Sequence, residues 1–143
     1  MSEQTSAKSR PARILIVEDE RHIARFLEFI LKKEGYQIKI AYDGEQGLAA
    51  LNEQEPDAVL LNLVLPGISG LEVLKGLRAN DRYANLPVAI LTSRPFEEVP
   101  ATALAAGASF HCTRPIAPST LIKKLVEYNV PPKIPDLSGN AYD

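Results

Sequence analysis

The sequence predicts an α/β domain in three layers, a doubly wound five-stranded parallel sheet with helices on both faces. Three observations predict it. Four short, continuous apolar runs, "ILIV" (14–17), "AVLL" (58–61), "VAIL" (88–91) and "ASFHC" (108–112), have the composition of strands covered on both faces. A fifth run, "YQIKIAY" (36–42), alternates apolar and polar residues, as a half-covered strand near a sheet edge does. Helical spacing lies between the runs, so strand and helix alternate five times. Such alternation argues for parallel strands joined by right-handed crossovers.

Each helix has its own signal. Ile23, Phe26, Leu27, Ile30 and Leu31 follow the spacing of one helix face, with Lys32 and Lys33 in the last turn and a stop at Gly35. Asp43-Gly44 starts a second helix through Leu48 and Leu51. Leu71, Leu74 and Leu77 mark a third. "FEEVPATALAAGA" is the weakest pattern, because Pro95 and Pro100 interrupt it. Leu121, Ile122, Leu125 and Val126 mark the last helix, with Pro118 near its first turn.

Composition bounds the function. A chain of 143 residues suggests one domain, large enough to bury a core without staples. A formal net charge of −2 is too balanced to argue for nucleic acid or an anionic membrane. Cys112 is the one cysteine, so no internal disulfide forms, and a cytoplasmic setting is expected. No apolar run reaches the ~20 residues of a membrane span, and "MSEQTSAKSRPAR" has no apolar core of a secretory signal. The expected organisation is a disordered tail over 1–12, a domain over 13–130 and a Pro-rich tail over 131–143. Within that last tail, "PKIP" (132–135) also has a polyproline-recognition spacing.

Open α/β sheets carry their sites beyond the carboxyl ends of the strands. Reading those positions gives Glu18, Asp19 and Glu20 after the first strand, and Asn62 after the third. Thr92, Ser93 and Arg94 follow the fourth, and Thr113, Arg114 and Pro115 the fifth. Each also has a plainer reading. Asn62 would suit a turn, and the acidic trio a helix N-terminus. Thr92 and Ser93 would suit a cap, and Arg114 a surface charge.

Together "ILIVEDE", "PDAVLLNLVLPGISG", "ILTSR" and "CTRPI" resemble the receiver domain of two-component response regulators, over about residues 13–130. The resemblance implies a flavodoxin-like sheet of order 2-1-3-4-5, an order for which the family is itself a standard example. It also implies two acids that help hold Mg²⁺, an aspartate that accepts a phosphoryl group from a histidine kinase, a hydroxyl and a lysine. The acids correspond to Glu18 and Asp19 and the hydroxyl to Thr92. The phosphoacceptor position holds Asn62 and the lysine position Arg114. The aromatic switch position holds His111, with Phe110 beside it.

These departures change the expected chemistry. A carboxamide is uncharged and a poor nucleophile, so Asn62 is not expected to accept phosphate. Mg²⁺ loses a carboxylate ligand, so Glu18, Asp19 and Asn62 would hold it weakly or not at all, and no cofactor is required. Arg114 is expected to enter the pocket and pair with Glu18 or Asp19. The expected function is an atypical receiver, not an enzyme, that signals by phosphorylation-independent binding of a protein. The partner would be a histidine kinase, another signalling protein or a second copy, meeting the face of helix 4, strand 5 and helix 5. Two alternatives stand beside it. An engineered Asp-to-Asn exchange would silence a working switch, but a single such change would leave the family's lysine in place, and position 114 holds Arg114 instead. A nucleotide- or flavin-binding protein of this layout is disfavoured, because "EDERH" replaces a Gly-rich loop.

Overall fold

The computed structural model describes residues 9–92, 98–113 and 115–136. Five strands form one parallel sheet: β2 (Arg13–Val17), β3 (Gln37–Ala41), β4 (Ala58–Asn62), β5 (Val88–Thr92) and β6 (Phe110–Thr113). Their spatial order is β3-β2-β4-β5-β6, which is 2-1-3-4-5 when the strands of this sheet are counted alone. Five helices connect or follow them: α1 (Arg21–Glu34), α2 (Gly44–Glu53), α3 (Gly70–Ala79), α4 (Glu98–Ala105) and α5 (Pro118–Glu127). A short 3₁₀ turn spans Asp81–Tyr83.

Strand alternation divides the core in two. Ile14, Ile16, Ala58, Leu60, Ala89 and Leu91 face Ala24, Leu27 and Leu31 of α1 and Leu121 and Leu125 of α5. Leu15, Val17, Val59, Leu61, Val88 and Ile90 face α2, α3 and α4 through Leu51, Val73, Leu74, Leu77 and Ala103. The predicted caps are present. Gly35 closes α1 at φ 109°, a left-handed conformation that a side chain resists. The Asp43 carboxylate accepts the Gln46 N–H at the start of α2, and Pro118 opens α5. In α4 the described helix begins at Glu98, so Pro95 lies outside the described residues.

The terminal segments depart from expectation at their inner edges. Residues Ser9–Pro11 form a strand, β1, which pairs antiparallel with a strand β7 at Lys133–Pro135. Within the segments expected as tails, residues 9–11 and 133–135 thus pair with each other; the outer residues 1–8 and 137–143 lie outside the described residues. Register explains how two prolines enter this ribbon. The Ala12 N–H donates to the Pro132 carbonyl at 2.8 Å, so alternation makes Arg10–Ile134 the next hydrogen-bonded pair. Pro11 and Pro135 fall at the intervening positions, where a missing N–H breaks no ladder bond. The same pairing uses Lys133 and Ile134 of the "PKIP" stretch in β7.

Tyr36 ties this end of the molecule to the sheet. Its ring is buried and its hydroxyl donates to the Val130 carbonyl at 2.7 Å. Burial, and secondarily the charge of Glu34, pushes its pKa up to about 12 from 10.0. The folded state therefore holds the phenol proton more tightly than the unfolded chain does. The resulting stabilisation is complete below pH 10 and is lost as pH rises towards about 12. A Tyr36→Phe variant should remove that alkaline loss, worth about 2–3 kcal/mol across the window. Urea unfolding of both proteins between pH 9 and 12 checks this; equal slopes in this range would refute it.

Candidate functional site

The site forms where β2 and β4 end side by side. Val17 and Leu61 are register partners, so Glu18 and Asn62 lie one step further along and on the same side of the sheet. Asn62 is the last residue of β4 rather than a loop residue, and every residue of that strand is buried. Glu18 is fully buried and Asn62 is 8% exposed.

The Asn62 amide bridges the acidic pair. Its Nδ2 donates to Glu18 Oε2 at 3.0 Å and to Asp19 Oδ1 at 3.3 Å. Its Oδ1 accepts the Val64 backbone N–H at 3.0 Å. Neighbours fix this orientation: carboxylates only accept, and a backbone N–H only donates, so a flipped amide would lose all three bonds. Glu18 Oε2 also accepts the Glu20 N–H at 3.0 Å, which ties the start of α1 to the same oxygen.

The loop after β4 is built to hold Asn62 in place. Gly67 takes φ 75°, the left-handed turn that "LPGISG" supplies. The Gly70 N–H returns to the Leu63 carbonyl at 2.9 Å. A Cβ at Gly70 would lie 2.1 Å from the Asn62 carbonyl oxygen, so only glycine lets α3 begin this close to the strand end. A capping box between Ser69 and Glu72 then starts α3. Its S-x-x-E pattern was present in the sequence and marks the helix start.

Of the other candidate residues, Thr92 ends β5 and is 6% exposed, level with Thr113 of β6. His111 is exposed on β6, whereas Phe110 points inward and stacks on Tyr128 with ring centroids 5.1 Å apart. The buried aromatic therefore sits at 110, one residue before the expected switch position. Cys112 is buried, and burial raises its thiol pKa. Arg114 lies outside the described residues, as do Ser93 and Arg94. The pairing expected of Arg114 with the acids is thus not described, and the Asn62 amide supplies N–H donors to both of them.

The residues present fit a cation poorly. A hard divalent ion needs oxygen donors converging on it. Here the Asn62 group turned toward the acids is an N–H donor, and its oxygen is engaged by Val64. Among the described residues no cluster of three His, Cys, Asp or Glu converges as a metal site.

A family profile described as response regulator receiver domain matches residues 14–126. This chain belongs to the receiver family. Solved structures agree. A response regulator from Chloroflexus aurantiacus J-10-fl superposes with a TM-score of 0.81 at 29% identity, over 83% of this chain and 98% of that one. The chemotaxis protein CheY4 of Vibrio cholerae gives 0.77 at 28% identity, over 82% and 98%. The receiver domain of NtrX from Brucella abortus gives 0.75 at 29%, over 80% and 96%. The protein is thus a receiver domain of two-component signalling. Among its described residues no helix is long and apolar enough to cross a membrane.

Proposed function

We propose that this receiver signals without a phosphoryl group, by binding a protein partner in the single conformation that its cleft maintains. The observation that carries the proposal is the Asn62 amide donating to both Glu18 and Asp19. The amide takes over the cation's part, satisfying the acids, and leaves the acceptor's part unfilled. An amide offers no anionic oxygen to attack phosphorus. Its N–H groups meanwhile satisfy the acids that would otherwise repel one another.

The partner is a histidine kinase, another signalling protein or a second copy of the chain. The face of α4, β6 and α5 supports such contact, since Leu104 is 48%, Val126 47% and Tyr128 37% exposed there. No cofactor is needed, and the reading assigns the protein no turnover.

The test is incubation with acetyl phosphate and Mg²⁺, read by intact mass and by hydroxylamine sensitivity. The expected result is an unmodified chain. A hydroxylamine-labile adduct on the unaltered protein would overturn the proposal.

A further inference from the structure

Both strands of the β1–β7 ribbon lie outside residues 14–126, the part that matches the receiver family. The ribbon lies beyond the matched region and sits at the amino ends of the sheet strands. Asp57 precedes β4 at that end, and Asn62 closes β4 at the other, roughly 16 Å away at ~3.3 Å per residue.

One ionic group anchors the ribbon. Arg10 makes a bidentate pair with Asp57, Nη1 to Oδ2 at 2.9 Å and Nη2 to Oδ1 at 3.0 Å. The same carboxylate accepts the Arg13 N–H at 2.7 Å, and Asp136 lies 3.9 Å from Arg10 Nε. The hydrogen bond to Asp57 holds the guanidinium pKa above its ordinary value. At the base of the ribbon, Ala12 is fully buried and accepts the Gln37 N–H at 2.9 Å, and Val130 accepts the Tyr36 hydroxyl. Ile134 packs partly buried against the α1–α5 side of the core, and Ala12 is bonded to Pro132.

We infer that the ribbon is a clasp: β1 and β7 open and close together, latched by Arg10 on Asp57, while the five-stranded sheet stays folded. Each strand has three residues, and among the described residues each has the other as its sole strand partner. An isolated strand of that length does not persist, so releasing one releases both. The two latch side chains are 18% and 19% exposed, so water reaches both ions as the clasp opens. Closed, it fixes both terminal segments side by side at the pole remote from Asn62. Open, it frees both at once and uncovers the apolar seat of Ile134.

Native-state hydrogen exchange on the full chain tests this, comparing the unaltered protein with Arg10→Met and with Asp57→Asn. The Ala12 amide reports β1, the Ile134 amide reports β7, and the Leu60 and Ile90 amides report the sheet. The expected result is exchange at least tenfold faster at Ala12 and Ile134, by a common factor in both variants, with Leu60 and Ile90 unchanged. Faster exchange at Ala12 alone would show independent strands and overturn the inference. Equal acceleration of the sheet amides, or no change at any site, would overturn it too.

Discussion

Replacing Asn62 by aspartate should lower the melting temperature by about 10 °C or more in EDTA, and Mg²⁺ should restore much of the loss. The amide now donates to a fully buried carboxylate and to its neighbour. Hydrogen bonds to charged groups contribute about 1.5–3 kcal/mol each. The Asn62→Asp exchange would withdraw both and put a third anion beside Glu18 and Asp19. The Val64 contact would survive, because aspartate keeps an oxygen acceptor. A loss of about 3 kcal/mol corresponds to roughly 10 °C for a domain of this size. Three clustered carboxylates form a hard-oxygen set, and an ion bound at a hundred times its Kd returns about 2.7 kcal/mol. Asn62→Ala is the control, since it removes the donors without adding charge and should be destabilised with no Mg²⁺ response. Calorimetric scans with EDTA and with Mg²⁺ decide the matter. An aspartate variant as stable as the parent in EDTA would mean that the amide bridge contributes nothing.

The second large effect is expected from Gly70→Ala. The added Cβ would run into the Asn62–Leu63 backbone, at 2.1 Å from the Asn62 carbonyl oxygen, 2.5 Å from Leu63 Cα and 2.9 Å from the Asn62 carbonyl carbon. None of these atoms is the end of a flexible side chain. Relief requires α3 to move away from the end of β4, which pulls on the residue that bridges the acids. Overpacking of this kind costs about 3 kcal/mol. The helix preference for alanine over glycine, about 1 kcal/mol, works in the opposite direction and loses. Gly76 lies in the same helix, and a Cβ added there would have nothing within 4 Å. There Gly76→Ala should stabilise by about 0.5–1 kcal/mol. The same exchange six positions apart in one helix should therefore change sign, as denaturant midpoints would show. Two shifts of the same sign would contradict the close approach at Gly70.

Periodicity made most of the fold legible. Three of the continuous runs became the inner strands β2, β4 and β5, and the alternating run became edge strand β3, because burial on one or two faces writes itself into composition. The fourth continuous run, at 108–112, was expected to be covered on both faces but became the other edge strand, β6, whose residues alternate buried and exposed. Acidic pair, Asn62 and Thr92 were legible for a related reason: in a parallel sheet, strand ends share one rim. Other features were not. The ribbon depends on pairing Arg10 with Ile134, far apart in the chain, and strands of three residues carry no period. Its anchor, Asp57, reads in sequence as one more acid before a strand. The inward turn of Phe110 instead of His111 depended on where β6 begins, and a shift of one residue exchanges the two faces. The orientation of the Asn62 amide was hidden as well, since Asn supplies both a donor and an acceptor and the choice rests on Val64.

A bound ion is a solute: its occupancy follows its concentration, and a chelator can strip it away. The Asn62 N–H groups are covalently part of the polypeptide, present at one equivalent in every folded copy. Under the proposed function, a cleft braced in this way has no bound ion whose supply could grade its response. What a cell varies instead is dosage, how many copies of the receiver and of its partner are made and how soon they are degraded.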